Sequence, residues 1–136
     1  MGNRAVIAFK DEYHTKENSP AIYLHWNGGR DSVEGFLAVA KKQYGTANGP
    51  EYGCARLVTI ICNFFTAKDG LSVGVGTYGN LDVDNYDNGT YWINTAFEIV
   101  EREYNHNPEQ KNHDLQELIE SICAAQPKLK TAEGVA

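Results

Sequence analysis

The residues whose types and spacing best suit them to chemistry lie in YLHWNGGRDS, positions 23–32. A β-rich run breaks there on Gly28-Gly29 and re-forms as a helix. The first amides of a helix are unsatisfied donors, and the helix dipole adds about half a positive charge at that end. Glycines let a ligand approach the backbone, and the Arg30 guanidinium can fork onto a phosphate. Tyr23 and Trp26, just upstream, could stack on a base. Asp31 argues the other way, because its carboxylate can cap the same amides. The stretch matches neither a P-loop nor a G-x-G-x-x-G fingerprint. Two readings therefore stand, an anion cradle or a structural strand-to-helix turn.

A second set of polar groups sits on an otherwise apolar helix. Arg56, Thr59 and Asn63 follow i, i+3, i+7 spacing and form one narrow strip. They are either a solvent edge or the polar floor of a pocket, with Arg56 and Asn63 as further donors. Ser72, Gly74 and Gly76 leave one face of a strand nearly bare, for close packing of another chain or for a ligand.

Other chemistries fail on spacing. His14, His25, His106 and His113 show no zinc-ligand pattern. Counting an EF-hand loop from Asp82 puts Tyr86 fifth and Ile93 twelfth, where acids are required. Cys54, Cys62 and Cys123 form no C-x-x-C pair and fall on apolar stripes, as in a reduced, intracellular protein. These patterns predict no metal, no cofactor and no catalytic residue.

The elements that must position these groups follow from periodicity. RAVIAF (4–9) and AIYLHW (21–26) read as strands, with Ile22, Leu24 and Trp26 on one face and Tyr23 and His25 on the other. A helix from about Ser32 to Tyr44 would be capped by Asp31, with Glu34 completing a capping box. A second, central helix runs from about Glu51 to Thr66, its main stripe Cys54, Leu57, Val58, Ile61, Cys62 and Phe65, extended by Ile60 and Phe64. LSVGVGT, LDVD, TYWIN and FEIVEREY read as strands, with Asn88-Gly89 as a hairpin signal. A last helix starts near Asn112 and stops before Pro127. The order ββααβββ(β)α predicts an α+β domain over residues 1–126, an antiparallel sheet of four to six strands with about three helices on one face. Residues 127–136 read as a flexible tail.

The chain of 136 residues carries 12 basic and 18 acidic side chains, a net charge of −6. That balance disfavours general nucleic-acid binding, which needs clustered Lys and Arg. It leaves room for a small anion held by a few placed donors. No apolar run reaches the length of a secretory signal or a membrane span.

MGNRAVI, YLHWNGGRDSVEGFL, YGCARLVTIICNFF and LDVDNYDNGTYWI together resemble a family of small uncharacterised proteins from bacteriophages, prophages and other mobile elements of bacteria. The likeness runs over most of residues 1–104 and returns at NHDLQELIE. It supplies no activity and no site residues. It implies an accessory protein acting in the bacterial cytoplasm, and such proteins are frequently counter-defence factors. The leading expectation is a non-enzymatic protein that sequesters a nucleotide immune signal or another small phosphate-bearing ligand. Gly28, Gly29 and Arg30 would hold the anion, and a homo-oligomer would complete the sites. The alternative is an anti-CRISPR-like inhibitor that grips a host defence protein through an acidic face of Asp82, Asp84, Asp87, Glu98, Glu101 and Glu103.

Overall fold

The computed structural model describes residues 2–69 and 72–127, with 66–69 described by backbone alone. Its elements are β1 (Ala5–Phe9), β2 (Pro20–Leu24), α1 (Arg30–Tyr44), α2 (Pro50–Asp69), β3 (Val73–Thr77), β4 (Thr90–Ile93), β5 (Ile99–Glu103) and α3 (Leu115–Ala124). This is the α+β arrangement and the element order expected from the sequence, without the optional extra strand. The tail expected over 127–136 lies, beyond Pro127, outside the described residues. Among the described residues no helix is long and apolar enough to cross a membrane.

The sheet runs β3-β2-β1-β4-β5. Three of its pairings are antiparallel, but the central pair, β1 with β4, is parallel, so the sheet is mixed rather than purely antiparallel. The cause lies in the link between β3 and β4. LDVD does not form a strand, and Asn88-Gly89 does not close a two-stranded hairpin. Instead, the Asn85 side chain gathers the loop around itself. Its Oδ1 accepts from the amides of Asp87, Asn88 and Gly89 at 3.1, 3.1 and 2.9 Å, and its Nδ2 donates to the Asp82 carbonyl at 3.0 Å. Such local bonds compete successfully with a ladder. The loop then crosses the sheet and delivers the chain to β4 in the same direction as β1.

Strict alternation divides the strands between two cores. Ala5, Ile7, Phe9, Ile22, Leu24, Tyr91 and Ile93 face the three helices. Val6, Ala8, Ala21 and Trp92 face the opposite way, covered by Tyr78, Leu81 and Val83 of the crossing loop. α2 is the central helix, as its composition demands, but its buried stripe is Cys54, Leu57, Ile60, Ile61 and Phe65, while Cys62 is exposed. A helix apolar on most of its circumference carries too little polar contrast to fix that rotation.

Two local expectations change. β2 ends at Leu24, and Asn27 turns the chain at a φ of +59°. Trp26 therefore leaves the core face, stands 43 % exposed and meets His25 edge-on at 5.1 Å. α1 begins at Arg30 with Gly29 as its N-cap and no side-chain cap, so Asp31 lies inside the first turn rather than before it.

Candidate anion site at the start of α1

The two glycines serve close packing of the chain on itself. A Cβ at Gly28 would lie 2.6 Å from the Asn3 carbonyl oxygen and 2.8 Å from the Ala5 amide, where no side chain fits. The Gly28 amide donates to Asn3 O at 2.8 Å. Gly29 is buried beneath Gln110. The segment ahead of α3 thus passes directly over the α1 N-terminus, where Gln110 O accepts from the Asp31 amide at 3.3 Å.

Asp31 ties that segment down. Its Oδ2 accepts from the His113 amide at 2.6 Å and lies 2.9 Å from His113 Nδ1, while Oδ1 accepts from the Ser32 amide at 2.8 Å. Burial alone would raise the Asp31 carboxyl, but the bonds from His113 and Ser32 outweigh it and hold the group below the usual carboxylate range. Arg30 Nη1 donates to Glu109 at 2.7 Å, and its Nε stands 3.5 Å from Glu34 without a hydrogen bond. Burial opposes the Arg30 charge, yet Glu109 and Glu34 together keep its pKa above the ordinary value.

Next to this cluster, on the helix side of the sheet, two strand residues carry polar atoms that nothing satisfies. Tyr91 on β4 is fully buried, and its hydroxyl has no partner among the described residues. Arg102, paired with Tyr91 across the β4–β5 ladder, places its guanidinium carbon 5.6 Å from the Tyr91 ring centroid. Arg102 Nε donates to Asn88 O at 3.1 Å, but Nη2 is buried without a partner and meets no carboxylate among the described residues. Burial pushes the Tyr91 phenol up to about 12, while Arg102 and Arg30 pull it down and Glu109 and Asp31 push it further up. At neutral pH the hydroxyl is therefore a neutral donor, and these four charges are the ones that act on it.

Among the described residues the unsatisfied buried donors are Tyr91 OH, Arg102 Nη2 beside the Tyr91 ring, and Arg30 Nε, which stands in the first turn of the fifteen-residue α1 with Glu34 3.5 Å away. The remaining orphan among the described residues is an acceptor, Asn88 Oδ1. A buried unsatisfied polar group costs about 1–3 kcal/mol, more if charged. Each of these donors can still bond an acceptor from outside the chain.

Of the sequence-predicted site residues, only Gly28, Gly29 and Arg30 stand here. Tyr23 faces the opposite side of the sheet, its hydroxyl 2.9 Å from His25 Nδ1. Arg56 lies between the Tyr44 and Tyr52 rings, 6.0 and 5.8 Å from their centroids. Asn63 donates to Gln126 Oε1 at 2.9 Å, clamping α2 to the end of α3. Trp26, Arg56 and Asn63 do not converge on Arg30. Glu109 meets Arg30 directly, Tyr91 feels the charges of both, and Arg102 lies against the Tyr91 ring; no motif marked these three.

Elsewhere, Asp11, His14 and Ser19 share a cavity of about 240 Å³ with Lys10, Lys16 and Trp92. No nucleophile–base contact forms there, because His14 Nε2 faces Glu51 at 2.7 Å and Ser19 Oγ donates to Thr15 O. Cys54 is buried and its thiol is pushed up to about 11, a form that is a poor nucleophile. The six acids considered as a protein-binding face are each matched by a base. Arg4 meets Asp82 and Asp87, His106 meets Asp84, and Lys41, Lys10 and Lys16 meet Glu98, Glu101 and Glu103. Comparison with known proteins matches this chain to no family model, no curated protein and no solved structure.

Proposed function

We propose that the protein binds a small phosphate-bearing ligand at the start of α1, with Arg102 Nη2, Arg30 Nε and the Tyr91 hydroxyl as donors, and performs no covalent chemistry on it. The observation that carries this reading is the set of buried donors lacking acceptors. A half-buried guanidinium without a carboxylate is expensive to keep unless something anionic completes it. The neighbouring groups are donors and paired carboxylates rather than a nucleophile poised on a base, which favours capture over turnover. Within the resemblance to phage proteins, the role that fits is sequestration of a nucleotide immune signal in the host cytoplasm. Three donors are few for a whole nucleotide, so a homo-oligomer lending a second wall belongs to the same proposal.

The acidic-face alternative draws little support, since Asp82, Asp87, Glu98, Glu101 and Glu103 are each paired with an arginine or lysine and Asp84 is bonded to the His106 ring.

Calorimetry tests the reading with pyrophosphate first, then a panel of cyclic and ADP-ribose-type nucleotides. Micromolar binding of at least one, weakened in Arg102→Met, is expected. No heat from any member at high-micromolar protein overturns it.

A further inference from the structure

The donors described above are closed off by the chain itself, and the manner of closure is informative. From Tyr104 to Asp114 only Gln110 is even partly buried, and no apolar side chain of the segment enters either core. Hydrogen bonds, ion pairs and one exposed ring stack hold it. At one end His106 Nε2 lies 2.7 Å from Asp84 and the His106 ring stacks on Tyr86 at 4.4 Å, while Asn107 Nδ2 donates to Tyr86 O at 2.6 Å. At the other end His113 is fixed by Asp31. Between these pins Glu109 and Gln110 span the start of α1, and the Glu109 carboxylate sits on Arg30 Nη1. Its charge also acts on the Tyr91 hydroxyl. A cleft of about 410 Å³, lined by Arg30, Glu34, Leu37, Phe97 and Leu115 among others, reaches Arg30 from outside.

We infer that residues 108–112 form an autoinhibitory strap, in which the Glu109 carboxylate competes with the ligand's anionic group for Arg30. This rests on the anion-binding reading of the same site and adds its regulation. A carboxylate and a phosphate oxygen make the same charge-assisted bond to a guanidinium, so one excludes the other there. Segments held by exposed hydrogen bonds and no buried apolar contact open at low free-energy cost. Ligand arrival therefore exchanges Glu109 for phosphate, breaks the contact of Gln110 O with the Asp31 amide, and leaves the two pins in place. Because the unliganded state holds an internal competitor, measured affinity is the intrinsic affinity reduced by the closed fraction.

The test is pyrophosphate titration of the full chain and of Glu109→Gln, which keeps the side chain's size and removes its charge. Glu109 is exposed, and equal melting temperatures check that the variant folds. The strap predicts at least about fivefold tighter binding in Glu109→Gln, and faster hydrogen exchange at the Asp31 amide when pyrophosphate is added to the wild type. Binding by Glu109→Gln alone also supports it. Unchanged or weaker affinity in Glu109→Gln, in a wild type that does bind and loses binding with Arg102→Met, overturns the strap and leaves the site standing. Equal binding by wild type and Arg102→Met overturns the site itself. No binding by either wild type or Glu109→Gln overturns both.

Discussion

Two neighbouring pairs of residues on β4 and β5 meet opposite fates. Trp92 and Glu103 face the crossing loop, and every polar atom of note there is answered. Glu103 accepts from Trp92 Nε1 at 2.6 Å, from the Tyr78 hydroxyl at 3.0 Å and from Lys16 Nζ at 2.8 Å. Burial would raise its carboxyl, but these three donors hold it below the usual range. Tyr91 and Arg102, one residue away on each strand, face the helices and leave a hydroxyl and a guanidinium nitrogen unanswered. The chain that satisfies one side completely can do so on the other. The contrast between a completed network and unanswered donors is what the proposed anion site rests on.

The largest test of that contrast is on the satisfied side. Glu103→Ala strands the Trp92 indole N–H and takes one partner each from Lys16 and from the Tyr78 hydroxyl, which keeps Tyr104 at 3.3 Å, and should cost about 3 kcal/mol in urea unfolding. A loss below about 1 kcal/mol would make the two sides energetically alike. Arg102→Met, on the other side, should weaken pyrophosphate binding at least about tenfold, or roughly 1.4 kcal/mol, while leaving the unfolding midpoint unchanged or higher. Tyr91→Phe removes a hydroxyl that has no partner, and should stabilise the unliganded fold by about 1 kcal/mol. A destabilised Tyr91→Phe would mean that the hydroxyl is satisfied in solution.

The smallest effect is the pH response of the strap anchor. The Asp31 carboxyl is held below its ordinary value in the fold, so its contribution is present above about pH 4 and is lost as pH falls through the depressed folded value. Asp31→Asn should lose less stability than wild type on acidification below about pH 4, as followed by circular dichroism. An identical acid profile would detach Asp31 from the strap.

Much of the frame was legible in the residues. The α+β class, the helix count and the central place of α2 follow from period and composition. The parallel β1–β4 pairing did not, because a single side chain, Asn85, converts a hairpin-like stretch into a loop that crosses the sheet. The site was half legible. Helix chemistry pointed to Gly28, Gly29 and Arg30, but Tyr91 and Arg102 lie roughly 60 and 70 positions away in sequence. Alternation also places Arg102 on the face opposite Ile99. The ladder, however, pairs Trp92 with Glu101 and Ile93 with Ile99, so Val100 is the extra residue of a bulge that brings Arg102 to the helix side. A bulge leaves no compositional trace that a period-2 pattern can report. Trp26 left the expected core face for a comparable reason, a left-handed turn at Asn27 that ends the strand's geometry.

If an anion binds at the unanswered donors, side-chain NMR reads it atom by atom. Pyrophosphate is titrated into isotopically labelled protein while the Nε–Hε resonances of Arg30 and Arg102 are followed. Saturable shifts of both arginines, with the Tyr91 ring moving in step, are the predicted result. Shifts confined to the cavity lined by Lys10, His14 and Lys16, or none at either arginine, would contradict it.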